Sequence, residues 1–149
     1  MKISYMENGY SKWVVGHKIT THDTTGNYDL AVIETPPKVQ GPPPHTHQSY
    51  NESFMVIDGE VQFFIDGEIK TLRVGEVMDI PPHTLHTFEN ASNKPSKLIN
   101  IHSPKGFKGF FEEVGISDEE TDAQMKSVAP EMVQKVIQSA PKFDMHIKM

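Results

Sequence analysis

Three histidines and one glutamate of this 149-residue chain have the residue types and spacing of metal ligands. His45 and His47 stand two positions apart, Glu52 follows a short polar stretch, and His86 comes from a separate segment. In a strand, residues i and i+2 point to the same face, so both imidazoles of the pair could reach one point above a sheet. Three neutral imidazoles and one carboxylate leave a divalent ion positively charged, with positions open to water, dioxygen or a substrate oxygen. We therefore predict one metal site from these four side chains, provided that the fold brings His86 back to the pair.

The composition limits the metal and the class of protein. The chain has no cysteine, so disulfides and thiolate ligands are excluded. Imidazole and carboxylate suit Fe, Ni, Mn, Zn, Cu and Co alike, so the ligands do not choose the ion. A net charge of −6 argues against a nucleic-acid partner, whose phosphates need a basic face. No apolar run approaches the roughly 20 residues of a membrane helix, and the first residues lack the apolar segment of a secretory signal. We expect a cytoplasmic protein without a membrane partner.

Short strands separated by turn signals surround the predicted ligands. Composition and alternation predict strands at 13–20, 28–35, 53–57, 61–65, 68–72, 75–80, 85–88 and 97–102. Asp58-Gly59 and Asp66-Gly67 are strong hairpin signals between such runs. The prolines at 42–44 form a stiff, extended segment that would deliver His45 in a fixed direction. Strands that recur about every 8–12 residues indicate an all-β sandwich or barrel.

The pattern changes from β to helical after Pro104. Phe107, Phe110, Phe111 and Val114 have helical spacing up to Gly115, which predicts a helix over 107–114. The segment 117–120, with its Ser and acidic residues, predicts a capping box that opens another short helix. A third helix is predicted over 130–139, with proline at its start. We expect a single domain over 1–149, with a barrel at about 13–103 and a helical tail at about 107–140.

Two sequence motifs resemble those of the cupin superfamily. The first is His45-x-His47, four residues, Glu52, six residues and Gly59. The second is Gly75, five residues, Pro81-Pro82-His83, two residues, His86, three residues and Asn90. This resemblance implies an all-β double-stranded β-helix, a jelly-roll barrel, with the short helical tail added. The chain departs from the cupin pattern twice. Gly41 stands closer to His45 than in the first motif, and His83 replaces a glycine of the second, where a positive φ is expected.

A looser resemblance extends beyond the barrel. Residues 103–107, followed by Phe110 and Phe111, are similar to small cupins related to quercetin 2,3-dioxygenase. That resemblance implies a metal-dependent dioxygenase with a small aromatic or enol-type substrate, with Glu52 as both metal ligand and proton acceptor. It also implies a homodimer that pairs through its sheets. The substrate itself does not transfer with the fold.

Alternatives remain open for the function and for the residues around the metal. A non-redox metal cupin, such as an isomerase or lyase, and a module that binds a small ligand without catalysis fit the same ligand set. Candidate substrate contacts are Tyr50, Phe54, Phe64, Phe88 and His102. For the phenylalanines, the competing interpretation is plain barrel core.

Overall fold

A computed structural model of the chain describes Ile3 and residues 11–149. The strands in this part are β1 (Ser11–Val14), β2 (His17–His22), β3 (Asp29–Thr35), β4 (His45–Thr46), β5 (Asn51–Asp58), β6 (Glu60–Ile65), β7 (Glu68–Arg73), β8 (Val77–Ile80), β9 (His86–Glu89), β10 (Ser96–Ser103), β11 (Ile116–Ser117) and β12 (His146–Ile147). The helices are α1 (Lys108–Val114), α2 (Ala123–Ser127) and α3 (Pro130–Ser139), and α3 continues into a 3-10 turn, Ala140–Phe143.

The strands form two antiparallel sheets that face each other. The larger sheet has the order β11-β1-β2-β3-β10-β5-β8, and the smaller has the order β12-β4-β9-β6-β7. The predicted all-β architecture with a helical tail is thus confirmed. The segments that carry the predicted ligands lie on both sheets, β5 on the larger and β4 and β9 on the smaller. None of the helices in the described part of the chain is long and apolar enough to cross a membrane.

The interior between the sheets changes from apolar to polar along one strand. Alternate residues of β10 point inward, and Leu98, Asn100 and His102 are each at most 2% exposed. Leu98 belongs to a core with Phe54 and Phe63, whose ring centroids lie 5.0 Å apart. Burying each such side chain contributes roughly 1.5–3 kcal/mol relative to leaving it in water. Asn100 and His102 therefore mark the polar end of the barrel interior.

One predicted strand is two strands in the structure. The segment 13–20 breaks at Val15 and Gly16, which have φ values of 47° and 86° and join β1 to β2. Two consecutive positive φ angles are typical of a tight hairpin turn, which right-twisted strands prefer. A β-branched residue rarely adopts this conformation, so the prediction of a continuous strand was wrong at a point with little sequence signal.

The tail differs from its prediction at one helix. Helices α1 and α3 form where they were predicted, but Ser117 does not open a helix. It lies in β11, beside β1, and its hydroxyl oxygen accepts the N–H of Glu119 at 3.2 Å in a turn. The helix α2 begins only at Ala123. Pairing with β1 satisfies the backbone of Ser117 instead of a helical turn, so the capping-box prediction was wrong.

Aromatic residues join the tail to the polar end of the barrel. Phe107, Phe110 and Phe111 are at most 8% exposed. The ring of Phe107 stacks on His102, with centroids 4.2 Å apart and an interplanar angle of 15°. Strand β12, near the end of the chain, pairs with β4. The tail therefore covers the end of the barrel that holds the predicted ligands.

Candidate metal centre

The fold brings the four predicted ligands together. His45 in β4 lies directly opposite His86 in β9, His47 follows β4, and Glu52 lies near the start of β5. Each of the four is at most 5% exposed. One donor atom from each lies within 4.8 Å of the others, so the set could hold a single ion.

A close contact between two chain segments positions the histidine pair. A β-carbon at Gly41 would lie 1.6 Å from the carbonyl oxygen of Phe88, so only glycine fits there. The Thr87 hydroxyl donates a 2.5 Å hydrogen bond to the carbonyl of Pro42. The segment before His45 is thus held against β9 next to His86, which explains the use of a glycine at 41.

The second motif turn takes the conformation that its missing glycine would favour. His83 has a φ of 69°, and its N–H donates to the carbonyl of His47 at 2.7 Å. This hydrogen bond joins the turn to the loop that carries a ligand. Asn90, the last residue of the motif, has a structural role. Its amide group donates to the carbonyls of Thr35, Pro36 and Lys94.

Each ligand histidine has its tautomer fixed by a backbone carbonyl. The Nδ1–H groups of His45, His47 and His86 donate to the carbonyls of Pro43, Asp144 and Thr84 at 2.7–2.8 Å. A carbonyl only accepts, so Nδ1 carries the hydrogen and the lone pair of each neutral ring is on Nε2. Metal-binding histidines are oriented in the same way. All three rings are therefore prepared to bind through Nε2.

An unpaired buried nitrogen supports a bound ion. Nε2 of His47 lies in the cluster without a well-formed hydrogen bond, although Oε2 of Glu52 is 3.3 Å away. A buried polar atom left unpaired costs about 1–3 kcal/mol. Three imidazole nitrogens and one carboxylate oxygen are suitable donors for a divalent transition metal. The residues therefore fit the predicted ion.

The carboxyl group of Glu52 is held in its charged form. Burial alone would raise the pKa of this group. The imidazoles around it, led by His102, outweigh burial and hold the pKa well below its ordinary value. Such a carboxylate is a good metal ligand and a weak base.

The two facing histidines differ in their affinity for a proton. Burial, with His86 adding to it, lowers the pKa of His45 to about 3, so this ring is neutral. Burial would also lower the pKa of His86, but its 2.8 Å contact with Oε2 of Glu52 and the charge of that group raise it above the ordinary value. Without an ion, His86 therefore binds a proton more readily than His45.

An apolar cavity adjoins the cluster. Its volume is about 50 Å³, well below the roughly 300–1,000 Å³ of sites for drug-sized ligands. The ligands His45 and Glu52 form part of its wall, and residues of the tail close it. Its other lining residues are Val14, Val15, His17, Ile19, Ile33, Pro42, Phe88, Asn100, His102, Phe107, Phe110, Phe111, Val136 and Met145.

Two of the five candidate substrate contacts line this cavity, Phe88 and His102. Phe54 is 1% exposed and lies in the core against Phe63. Phe64 is half-buried and points the other way, because its neighbour Phe63 takes the inward position opposite Phe88. These two phenylalanines do not line the cavity.

Tyr50 packs beside the cluster, outside the cavity lining. Its ring lies 5.7 Å from those of His47 and His102. Sequence reasoning missed His17 and Asn100 as cavity residues. The alternation of β10 was the available signal for Asn100, since it places that residue on the same face as His102.

Known proteins are similar to this chain in sequence. Residues 31–102 match the Cupin domain family model. Over 93 residues the chain is 26% identical to quercetin 2,3-dioxygenase from Bacillus subtilis. The matched stretch covers 62% of this chain and 27% of that protein. Another relative, an uncharacterised protein of Aquifex aeolicus, is 34% identical over 61 residues, or 41% of this chain and half of that one. The chain thus matches half or less of the length of these relatives.

A solved structure shows the same fold. An RmlC-like cupin from Shewanella frigidimarina superimposes with a TM-score of 0.62 at 24% identity, covering 70% of this chain and 92% of the other. At this level of identity, the likeness concerns the fold alone.

Proposed function

Since this chain belongs to the cupin superfamily, we propose that it is a metal-dependent dioxygenase that acts on a small enol-type substrate. The observation that carries this proposal is the convergence of three Nε2 atoms and one carboxylate oxygen in a buried cluster beside an apolar cavity. The similarity to a quercetin 2,3-dioxygenase supports the reaction class.

The bound metal, Glu52 and the apolar lining residues have different roles in the proposed reaction. A divalent metal, when bound, supplies positive charge to a substrate oxygen and, where it is redox-active, electrons to dioxygen. Glu52 is the proton acceptor. Because its low pKa makes it a weak base, it accepts a proton readily only from a substrate whose acidity is itself raised, as in an enol or a 1,3-diketone. The apolar residues opposite, such as Phe88 and Phe111, exclude water.

The cavity favours a small and uncharged substrate. No lysine or arginine is among the described residues that line it, so a phosphorylated sugar would lack a partner for its charge. Its volume is about 50 Å³, so a flavonol would need a larger movement of the tail than a small enol would. A small enol therefore fits this proposal better than a large aromatic one.

Oxygen uptake by metal-loaded protein tests the proposal. The protein is loaded separately with Fe, Mn, Co, Ni, Cu or Zn, and occupancy is confirmed by elemental analysis. We expect a redox-active form to consume oxygen with acetylacetone, and Glu52→Gln to abolish this uptake when the two proteins are compared at equal metal content. A flavonol serves as the size control and should react slowly or not at all.

Two results would contradict the dioxygenase. Conversion of substrates by the zinc form without oxygen would favour the isomerase or lyase alternative. Binding without turnover across the panel, in every occupied form, would favour a ligand-binding module.

We further propose that the chain forms a homodimer through the outer face of its larger sheet. Val77 is paired with Met55, and Met55 with Ile99, so an apolar row crosses β8, β5 and β10. Val77 is 59% and Met55 37% exposed. Light scattering should give twice the chain mass, and Val77→Glu should give the monomer. A wild-type monomer at micromolar concentration would contradict this.

A further inference from the structure

Asn100 lies at the centre of the polar end of the barrel. It points inward from β10, is 1% exposed, and is part of the cavity wall. Its Nδ2 donates a 3.0 Å hydrogen bond to Oε1 of Glu52. An ionised carboxylate can only accept, so this contact fixes which end of the Asn100 amide is nitrogen.

The two oxygens of Glu52 have different surroundings. Oε2 faces the ligand cluster, 2.8 Å from Nε2 of His86 and 3.3 Å from Nε2 of His47. Oε1 faces β10, where it accepts from Asn100 and lies 3.1 Å from Nε2 of His102. One oxygen is therefore directed at the ion position, and the other is held by a neighbouring strand.

We propose that Asn100 is a positioning residue that, with His102, keeps Oε1 of Glu52 away from the ion, so that Glu52 binds through Oε2 alone. This inference rests on the proposed metal site. Nε2 of His102 makes no well-formed hydrogen bond to a described residue, but the stack of His102 on Phe107 fixes this ring beside Oε1. The tail therefore contributes to the same restraint through Phe107.

The restraint has a consequence for the number of open positions. A carboxylate can bind an ion with one oxygen or with both. An ion that takes six donor atoms would keep two positions free if three imidazoles and one oxygen of Glu52 held it, and one if both oxygens did. A second free position would let such an ion accept more than one small molecule. Asn100 would thus preserve the second position.

An asparagine at position 100 makes the fold less stable than an apolar residue would, which argues against a role in packing alone. Oδ1 of Asn100 is buried without a hydrogen-bond partner among the described residues. An unsatisfied buried acceptor is unfavourable, and a leucine of similar size would avoid it. Leu98 occupies the next inward position of the same strand. Folding alone therefore does not account for an amide at position 100.

Infrared spectroscopy of the zinc-loaded protein tests the inference. The separation of the two carboxylate stretching bands is wide for binding through one oxygen and narrow for binding through both. Protein labelled with ¹³C-glutamate gives a zinc-loaded minus zinc-free difference spectrum, and Glu52→Gln identifies the Glu52 bands. We expect a wide separation in the wild type and a narrow one in Asn100→Leu. Zinc affinity, measured by competition with a chelator, should fall about tenfold in that variant.

Two further variants complete the design. His102→Phe keeps a ring against Phe107 but removes Nε2, so it should also narrow the separation of the two carboxylate bands. This variant tests the inference even if Asn100→Leu does not fold. Leu98→Ala weakens the core from the same strand without touching Glu52, and it should keep the wide separation. A narrow separation of the two Glu52 bands in the wild type would overturn the inference. A wide separation in every folded variant at positions 100 and 102 would overturn it too. Neither result would contradict the metal site. A wild type that binds no zinc would overturn the metal site itself.

Discussion

The backbone carbonyl of Asp144 accepts a 2.7 Å hydrogen bond from Nδ1 of His47, although the two residues are 97 positions apart. The carboxylate of Asp144 also accepts the N–H groups of Gln48 and Ser49 at 2.7–3.1 Å. Strand β12 then pairs Ile147 with His45. The end of the chain thus supports both histidines of the first motif.

Deleting residues 144–149 should therefore weaken metal binding. The deletion removes the acceptor that fixes the His47 tautomer, so we expect the affinity for a divalent ion to fall by about 10–100-fold. Competition with a coloured chelator measures this change, and circular dichroism checks that the sheets remain. Removing only Met149, which is 94% exposed, should leave the affinity unchanged. Equal affinities of the two truncated forms would contradict a role for the tail.

His86→Ala should remove metal binding from a protein that still folds. The affinity should fall by more than the 10–100-fold typical of losing a supporting residue, because a ligand itself is lost. The apolar core around Phe63 and Leu98 remains in place. Elemental analysis after gel filtration measures the metal content. Full occupancy in this variant would show that His86 is not a ligand.

His83→Gly is the matched control, three positions away in the same turn. Because His83 has a φ of 69°, glycine relieves strain in the folded state while it adds freedom to the unfolded chain. We expect metal content to be unchanged and the free energy of unfolding to stay within about 1 kcal/mol of the wild type. His83→Val should be less stable by about 1–2 kcal/mol, since a β-branched residue resists this conformation.

The sequence predicts those parts of the molecule that depend on spacing and alternation. The pair His45 and His47 could be placed on one face because a strand has a period of two. The same alternation could not decide between Phe63 and Phe64, since either residue of such a pair can point inward. The structure decides it through the register of β6 with β9, where Phe63 lies opposite Phe88.

Contacts made by the backbone leave no trace in the pattern of side chains. The support of His47 by Asp144 uses a main-chain carbonyl, which every residue has. The turn at Val15 depends on a conformation that its residue type disfavours. Both features arise from tertiary packing, so single-sequence reasoning could not reach them.

Metal binding should release a proton from the cluster. Without an ion, the contact with Glu52 raises the pKa of His86, and the ring then carries hydrogen on both nitrogens. A metal needs the lone pair of Nε2, so it must displace this proton. Below the raised pKa of His86 we expect about one proton released per ion, and affinity that increases with pH. Calorimetry in buffers of different ionisation enthalpy measures the number of protons released per ion. A value near zero at every pH would contradict a protonated His86 in the metal-free protein.

His17 should make the protein less stable as the pH falls. The ring is 3% exposed, its Nε2–H donates to the carbonyl of Gln40 at 2.9 Å, and its Nδ1 accepts from the Thr35 hydroxyl at 2.8 Å. Burial lowers the pKa of His17 from 6.5 to about 4, so between these values the unfolded chain binds a proton that the folded protein does not. His17 thus does not change the free energy of unfolding above pH 6.5, and it lowers this free energy as the pH falls from 6.5 to 4.

The pKa difference corresponds to a loss on the order of 3 kcal/mol at pH 4. His17→Gln keeps hydrogen-bonding groups at this position but does not titrate. Urea unfolding of both proteins at pH 7, 5 and 4 isolates the contribution of His17, because all other titrating groups are shared. We expect the stability of the wild type relative to the variant to decrease steadily over this range. A constant difference between the two proteins would show that His17 takes up a proton in the folded state as easily as in the unfolded chain.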